Sequence, residues 1–207
     1  MISRLRERAR PRVLGHFFLW YLGSAGPESQ TNEDERNCLA RHAAGRKRLV
    51  EIGVWQGVTT CRLRRTMDVD GLLLAVDPFL PGRLGFSAAR IIALREVQRI
   101  RNGTVRWMRQ TGADAGRHYL TQEALPIDFI FFDGDHTYEG LRGDWETWAP
   151  LVAPNGAVAI HDSRSSATRQ IDDAGSAIFT RDVVLHDPRF ELSETVDTLT
   201  VVRRRAV

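Results

Sequence analysis

Residues 127–163, IDFIFFDGDHTYEGLRGDWETWAPLVAPNGAVAIHDS, hold a strand, a helix and a second strand in close succession. Ile127–Phe132 is an almost unbroken apolar run of strand length, which is typical of a strand buried on both faces. A helix with one apolar face follows, formed by Leu141, Trp145 and Trp148. Pro150, Pro154 and a predicted Asn155-Gly156 turn end the helix, and Ala157–Ile160 has the composition of the second strand. Short connections of this kind give adjacent parallel strands, so the stretch predicts the core of a parallel sheet.

Both predicted strands end in an acidic residue with a histidine nearby. Asp133 and His136 follow the first strand, and His161 and Asp162 follow the second. Neighbouring strands lie about 4.8 Å apart, so we expect these side chains to meet at one rim of the sheet. Two close carboxylates repel unless a proton or a cation lies between them, and a hard divalent cation would satisfy both. Alternatively, each aspartate only caps a turn or helix, the role expected of Asp135.

The rest of the sequence alternates strands with helices. Further parallel strands are predicted at Leu49–Ile52, Leu72–Val76 and Thr104–Met108, and an antiparallel hairpin at Phe190–Ser193 and Leu199–Val202. Helices are predicted after a cap at Thr31 or Asn32, at Ser87–Arg101 with Ile91 among its buried positions, and at Ala174–Val184. This order predicts an α/β fold: a Rossmann-like, doubly wound, seven-stranded sheet, mostly parallel with a C-terminal antiparallel hairpin.

The first 30 residues differ in composition from the rest. They are rich in arginine and then in aromatic residues, so we expect residues 31–207 to form the single domain. Val13–Leu22 is too short to span a bilayer and has no convincing cleavage site, so no membrane span is predicted. We expect this segment to pack on the domain, where it would act as a lid or contribute to a homo-oligomer contact.

Composition excludes several classes of function. The chain has 207 residues, 43% of them hydrophobic, and a net charge of only +3. Lys47 is the only lysine, which excludes a phosphate-binding loop lysine or a Schiff base elsewhere. The arginines are scattered apart from clusters at the two ends, so nucleic-acid binding is not predicted. Cys38 and Cys61 do not suggest a disulfide scaffold, which favours a reduced, cytoplasmic setting.

A second motif precedes the opening stretch. Glu51 lies near the end of the first predicted strand, Gly53 and Gly57 lie in the turn that follows it, and Asp77 directly follows the next strand. This is the layout of a nucleotide site, in which an acid accepts hydrogen bonds from ribose hydroxyls. Trp55 stands where a dinucleotide fingerprint requires glycine, which favours a nucleoside without phosphates, such as S-adenosylmethionine.

These motifs together resemble the class I S-adenosylmethionine-dependent methyltransferases, from about Thr31 to Val202. Within that class the sequence is most similar to the small metal-dependent sugar O-methyltransferases of the macrocin type. EIGVWQG resembles their first motif, AVDP their ribose motif, and FFDGDHTYEGLRGDWETWAPLVAPNGAVAIHD their signature block. The resemblance implies S-adenosylmethionine, a divalent metal such as Mg²⁺ or Mn²⁺, and a small-molecule or oligosaccharide acceptor.

The resemblance also implies roles for individual residues. Glu51, Gly53 and Gly57 would surround the methionine part of the cofactor, and Asp77 would bind its ribose. Gly112, Ala113 and Asp114 would lie beside its adenine, and Asp133 would also contact the cofactor. The metal would be bound by Asp133, His161 and Asp162, and His136 would be the general base. The family commonly has a carboxylate where this chain has His161. Since an imidazole suits Mn²⁺ or a later metal better than Mg²⁺, the metal's identity stays open.

Three functions are therefore predicted, in order of preference. The first is metal-dependent O-methylation of a sugar or glycoside hydroxyl. The second is O-methylation of a catechol-like or other small natural product, with a pocket lined by Phe17, Phe18, Trp20 and Tyr21. The third is a nucleotide-binding domain or a nicotinamide oxidoreductase, against which Trp55 and the lack of a Tyr-x-x-x-Lys pair both count.

Overall fold

A single seven-stranded sheet runs through the domain. The computed structural model describes residues 14–82, 85–122 and 125–206. The strands are β1 (Arg48–Ile52), β2 (Leu72–Val76), β3 (Thr104–Met108), β4 (Ile127–Phe132), β5 (Val152–Ile160), β6 (Phe190–Val196) and β7 (Leu199–Arg204). Their order across the sheet is β3-β2-β1-β4-β5-β7-β6, and β7 alone runs antiparallel to its neighbours. The predicted fold class is confirmed.

Helices cover both faces of this sheet. They are α1 (residues 14–21), α2 (Glu33–Ala43), α3 (Val58–Thr66), α4 (Ala88–Gln98), α5 (Gly112–Gln122), α6 (Tyr138–Trp148) and α7 (Gly175–Asp182). One core cluster joins the sheet to α5, α6 and α7, and another joins its opposite face to α2 and α3. The apolar face predicted for α6 lies in the first cluster, where Leu141, Trp145 and Trp148 are all buried.

The start of α6 differs from the prediction. Thr137, not Asp135, is its N-cap, because the Thr137 hydroxyl oxygen accepts a hydrogen bond from the Gly140 N–H at 3.0 Å. Asp135 instead accepts from the Thr137 N–H at 3.0 Å and shapes the turn before the helix. The prediction for α2 is confirmed, since Asn32 caps it and forms a reciprocal capping box with Glu35.

Two other features differ from the sequence prediction. Ile91 was expected to be buried, but it is 39% exposed on α4, where Ile92 and Val97 provide the apolar contacts. β5 begins at Val152 rather than Ala157, because the predicted Asn155-Gly156 turn is an irregularity inside the strand. Asn155 has a φ of 62° there, in the left-handed region that asparagine tolerates.

The described part of the N-terminal segment packs on the domain. The indole N–H of Trp20 in α1 donates to Glu96 of α4 at 2.8 Å. Gln56, in the turn after β1, accepts from the backbone N–H of Glu28 at 2.7 Å and lies 3.1 Å from His16. Phe18, Leu19, Tyr21 and Leu22 remain exposed. A lid or oligomer contact remains a prediction, and the arginine cluster Arg4 to Arg12 lies outside the described residues.

No helix in the described part of the chain has both the length and the apolar character needed to cross a membrane.

Candidate active site

The ends of β4 and β5 meet at one rim of the sheet. The Asp133 N–H donates to the Ile52 carbonyl at 2.7 Å, which anchors the residue beside β1. The His161 N–H donates to the Phe132 carbonyl at 3.0 Å, which continues the pairing of β4 with β5. Asp162 then turns the chain with a φ of 50°, a strained value for a residue other than glycine. The parallel pairing thus brings the predicted acid and histidine residues together.

Asp133, His136 and His161 form the most compact part of this group. His161 Nδ1 lies 2.8 Å and His136 Nε2 lies 3.5 Å from Asp133 Oδ1. One ligand atom from each of the three residues lies within 4.8 Å of the other two. This separation and these donor types fit a divalent transition-metal ion.

Glu35 is a fourth member that the sequence did not predict. It is buried, and its Oε2 lies 3.5 Å from His161 Nε2, on the far side of the ring from Asp133. Its other oxygen, Oε1, accepts hydrogen bonds from the backbone N–H of Thr198 at 3.2 Å and from the Thr198 hydroxyl at 2.7 Å. His161 is therefore held between two carboxylates.

These contacts shift the pKa values of the pair in opposite directions. Burial opposes the charge on both groups, but it is outweighed. Asp133 and Glu35 favour the protonated form of His161, and His161, Asn32 and Thr198 favour the ionised form of Glu35. The pKa of Glu35 falls to about 2, and the pKa of His161 rises to about 10. The ring N–H directions are not aligned with the carboxylate oxygens, so the contacts are ion pairs rather than well-formed hydrogen bonds.

Asp162 is engaged with an arginine rather than with the compact group. Arg169 donates through Nη1 and Nη2 to the two oxygens of Asp162 at 2.6 and 2.7 Å, a bidentate pair. Asp162 Oδ1 is also 3.8 Å from His161 Nδ1. Metal binding by Asp162 stays a prediction, and it requires Arg169 to withdraw. Arg169 gave no sequence signal, because it lies in a loop without apolar periodicity.

The turn after β1 is braced by Asp77. Its Oδ2 accepts from the backbone N–H groups of Val54 and Trp55 at 3.0 Å each, and its Oδ1 accepts from Phe79 at 2.6 Å. Trp55 has a φ of 49°, so the position that a dinucleotide fingerprint fills with glycine keeps a left-handed conformation. Oδ1 retains a lone pair for a ligand hydroxyl, so the predicted ribose contact and the bracing of the turn are compatible.

The two glycines of this turn are also required by packing within the protein. A Cβ on Gly53 would lie 2.0 Å from the carbonyl oxygen of Asp133, and one on Gly57 would lie 3.1 Å from Cα of Ala93. Both have positive φ, 93° and 78°. Contact with the methionine part of a cofactor remains a prediction for both residues.

Glu51 lies beneath this turn and is completely buried. None of the described residues offers either of its carboxyl oxygens a well-aligned hydrogen bond. Burial, together with the nearby charges of Asp133 and Asp77, raises its pKa well above the ordinary value. A neutral carboxyl without partners is an orphaned polar group next to the predicted cofactor site. The contact predicted between Glu51 and a ligand requires the turn to open.

The start of α5 lies against α6 through a second buried carboxyl. A Cβ on Gly112 would be 2.3 Å from Oδ1 of Asp144, whose carboxylate also accepts a backbone hydrogen bond from Ala113. Burial and the neighbouring Asp135 raise the pKa of Asp144 to about 7. Asp114 is exposed and bonds Thr111 and Arg117. Asp144 thus positions Gly112 and Ala113 of the predicted adenine-binding trio.

Asp144→Asn is expected to raise the free energy of unfolding at pH 8 by at least about 1 kcal/mol. The pKa of Asp144 is about 7 in the folded protein and 3.8 in its unperturbed form. Stability from this group is therefore lost as pH rises from about 4 through 7, and asparagine removes that loss. Urea denaturation at pH 5 and pH 8 measures it. Asp114→Asn, at an exposed site, is the control, and a gain equal at both pH values would contradict the explanation.

Known proteins resemble this chain in sequence and in fold. A family model for a methyltransferase domain matches residues 50–163, more than half of the chain. The O-methyltransferase from Bacillus cereus in complex with SAH has a TM-score of 0.62 at 16% identity, over 93% of this chain and 91% of its own. TomG from Streptomyces achromogenes, an O-methyltransferase involved in tomaymycin synthesis and solved with SAM, has a TM-score of 0.63 at 14% identity, over 94% and 90%. At such identities the two structures establish the fold alone.

Proposed function

Because the chain belongs to the methyltransferase-domain family, we propose that it is an S-adenosylmethionine-dependent O-methyltransferase acting on a hydroxyl of a sugar or glycoside. The observation that carries the proposal is the group formed by Asp133, His136 and His161 at the carboxyl end of the sheet, beside the glycine turn after β1. Ligands of open α/β sheets bind at this end. A methyl donor and a hydroxyl acceptor would therefore meet there. The O-methyltransferases whose structures contain SAH or SAM have the same fold.

The methyl donor would lie across the ends of β1, β2 and β3. Asp77 has a free lone pair toward a ribose hydroxyl, and the Gly112–Asp114 segment lies at the next strand end. The orphaned carboxyl of Glu51 supports a ligand in this region, since a sulfonium amino acid carries an ammonium group that could satisfy it. The residues present thus fit the donor.

A divalent cation would be held by Asp133 and by His161, whose imidazolium would lose a proton as the ion binds, with Asp162 joining if Arg169 withdraws. Such a cation, when bound, lowers the pKa of a coordinated hydroxyl and fixes its orientation. The imidazole ligand favours Mn²⁺ or a later metal over Mg²⁺.

His136 would act as the general base. Its side chain is 33% exposed, so it can reach an acceptor, and its Nε2 lies 3.5 Å from Asp133, which would stabilise the imidazolium. It would take the hydroxyl proton as the oxygen forms its bond to the methyl carbon and the carbon–sulfur bond breaks. The sulfonium supplies the driving force, so the protein contributes proximity and charge stabilisation.

The positions of the aromatic residues considered for a catechol pocket favour a sugar over a catechol as the acceptor. A cavity of about 370 Å³ includes Ser163, the residue after Asp162, and its mostly apolar lining also contains Arg164, Asp172 and Arg181. The aromatic residues considered for a catechol pocket are used differently, since Trp20 is buried against α4 while Phe18 and Tyr21 face solvent.

Calorimetry with S-adenosylhomocysteine and with NAD tests the cofactor assignment. We expect binding of the first and none of the second, and the opposite result would reject the methyltransferase assignment. A methyl-transfer screen over sugar and catechol acceptors, with Mg²⁺, Mn²⁺ or EDTA, then tests acceptor and metal. Full activity in EDTA would refute the metal. Asp162→Ala is expected to abolish metal-dependent turnover while leaving affinity for S-adenosylhomocysteine largely intact.

A further inference from the structure

A second group of side chains that could hold a metal ion lies outside the candidate active site. Cys38 and His42 are four residues apart on α2, so they share one helix face, and Glu194 of β6 lies opposite them. Glu194 Oε2 lies 3.5 Å from Cys38 Sγ and 3.1 Å from His42 Nε2. The three ligand atoms lie within 4.8 Å of one another. One sulfur, one nitrogen and one oxygen thus converge on a single point between a helix and a strand.

These separations match the edges of a tetrahedral zinc site. With Zn–S of about 2.3 Å and Zn–N and Zn–O of about 2.0–2.2 Å, the ligand atoms of such a site lie roughly 3.3–3.6 Å apart. The distances from Glu194 Oε2 to Cys38 Sγ and to His42 Nε2 fall close to this range. Cys38 is buried, whereas the side chains of His42 and Glu194 are 11% and 33% exposed, which leaves a path for an ion from solvent.

We propose that Cys38, His42 and Glu194 bind a thiophilic divalent cation, Zn²⁺ above all, with water as the fourth ligand. The Cys38 thiol would release its proton to solvent as the sulfur–metal bond forms, and one thiolate with one carboxylate would neutralise the two charges of the ion. Arg41 Nη2 lies 2.5 Å from the other oxygen of Glu194, Oε1. The contact with Arg41 leaves Glu194 Oε2 facing Cys38 and His42. A hydrogen bond from a neighbouring side chain orients a metal-binding carboxylate in this way.

The position of this site gives it a structural consequence. It would join α2 to β6, an edge strand of the sheet. The first turn of α2 carries Glu35, which contacts His161 of the candidate active site. Zinc bound to Cys38 and His42 would therefore fix the helix that positions Glu35, without itself taking part in methyl transfer.

Cobalt substitution tests the proposal and separates it from any metal at the active site. Tetrahedral Co²⁺ bound to a thiolate gives a sulfur-to-cobalt charge-transfer band, whereas the group of Asp133, His136 and His161 contains no sulfur and gives none. We expect metal-free protein to develop this band at one Co²⁺ per chain and to lose it when Zn²⁺ is added. Zn²⁺ should also raise the melting temperature, and the rise should continue as the free Zn²⁺ concentration increases above Kd.

Variants identify the ligands. Cys38→Ser is expected to abolish the band, and Cys61→Ser, which changes the other buried cysteine, is expected to keep it. His42→Ala and Glu194→Gln should weaken Zn²⁺ binding by at least about tenfold. Circular dichroism of the metal-free variants verifies that they fold. Absence of the band in the wild-type protein at saturating Co²⁺, or its persistence in Cys38→Ser, would overturn the proposal and leave a hydrogen-bonded cluster held by Arg41.

Discussion

Replacing His136 with alanine is expected to lower kcat by about 10²–10⁴-fold, the usual effect of removing a general base. A sugar hydroxyl is a poor nucleophile at neutral pH, so its proton must leave as the new bond forms. Among the described residues of the compact group, His136 has the exposure to reach an acceptor, whereas His161 is buried between Asp133 and Glu35. Methyl transfer at saturating donor and acceptor measures the loss, and calorimetry with S-adenosylhomocysteine should show unchanged affinity.

His136 could in principle bind the metal instead, and the two roles give different results. If His136 is the base, added Mn²⁺ should fail to restore turnover in His136→Ala. If His136 is a metal ligand instead, its loss would weaken metal binding and excess Mn²⁺ would restore activity. That result would contradict the role of base.

His118→Ala provides the matched control for this experiment. His118 is exposed on α5, and its removal should leave turnover within about twofold of the wild-type value. Added imidazole should partly rescue His136→Ala, because a small base can occupy the space left by the side chain. Unchanged turnover in His136→Ala would remove this residue from the mechanism altogether.

The position of each site residue in the fold explains whether it could be predicted from the sequence. Asp133, His161 and Asp162 follow buried strands, and adjacent parallel strands must end at the same rim, so their proximity follows from the sequence pattern. Glu35 comes from a distant helix, where its place in the capping box with Asn32 already explains a glutamate. Its contact with His161 therefore carried no separate signal. Arg169 is in the same situation, since loop residues have no period that fixes their direction.

More of the fold than of the site could be predicted from the sequence. β2, β3 and β4 have the predicted bounds, because each is a short run of strand-forming residues closed by polar or turn residues. The predicted start of β5 is too late because Pro154 and Asn155 are typical turn residues. A strand can nevertheless include them at an irregularity. Ile91 was assigned to the core because periodicity alone cannot decide the edge of a helix's buried face. The N-cap of α6 moved by two residues because Asp135 and Thr137 are both good caps.

Gly53→Ala is expected to lower the free energy of unfolding by about 3 kcal/mol or more, the combined cost of a left-handed alanine and of an overpacked contact. The new Cβ would lie 2.0 Å from the carbonyl oxygen of Asp133 and 2.4 Å from its carbonyl carbon. Since these are backbone atoms, no side-chain rotation relieves the clash. The ends of β1 and β4 would have to separate, and Asp133 would move with them. Urea denaturation measures the stability, and calorimetry with S-adenosylhomocysteine measures the effect on the site.

Gly45→Ala separates the two costs. Gly45 has a φ of 68°, but a Cβ there would meet nothing within 4 Å, so only the backbone strain of about 1–2 kcal/mol applies. Gly45→Ala should therefore keep its affinity for S-adenosylhomocysteine, whereas Gly53→Ala should lose affinity as well as stability. Equal destabilisation by the two substitutions would mean that separating the ends of β1 and β4 costs little free energy. In that case Gly53 would be required only for its conformation, and the position of Asp133 would not depend on the turn after β1.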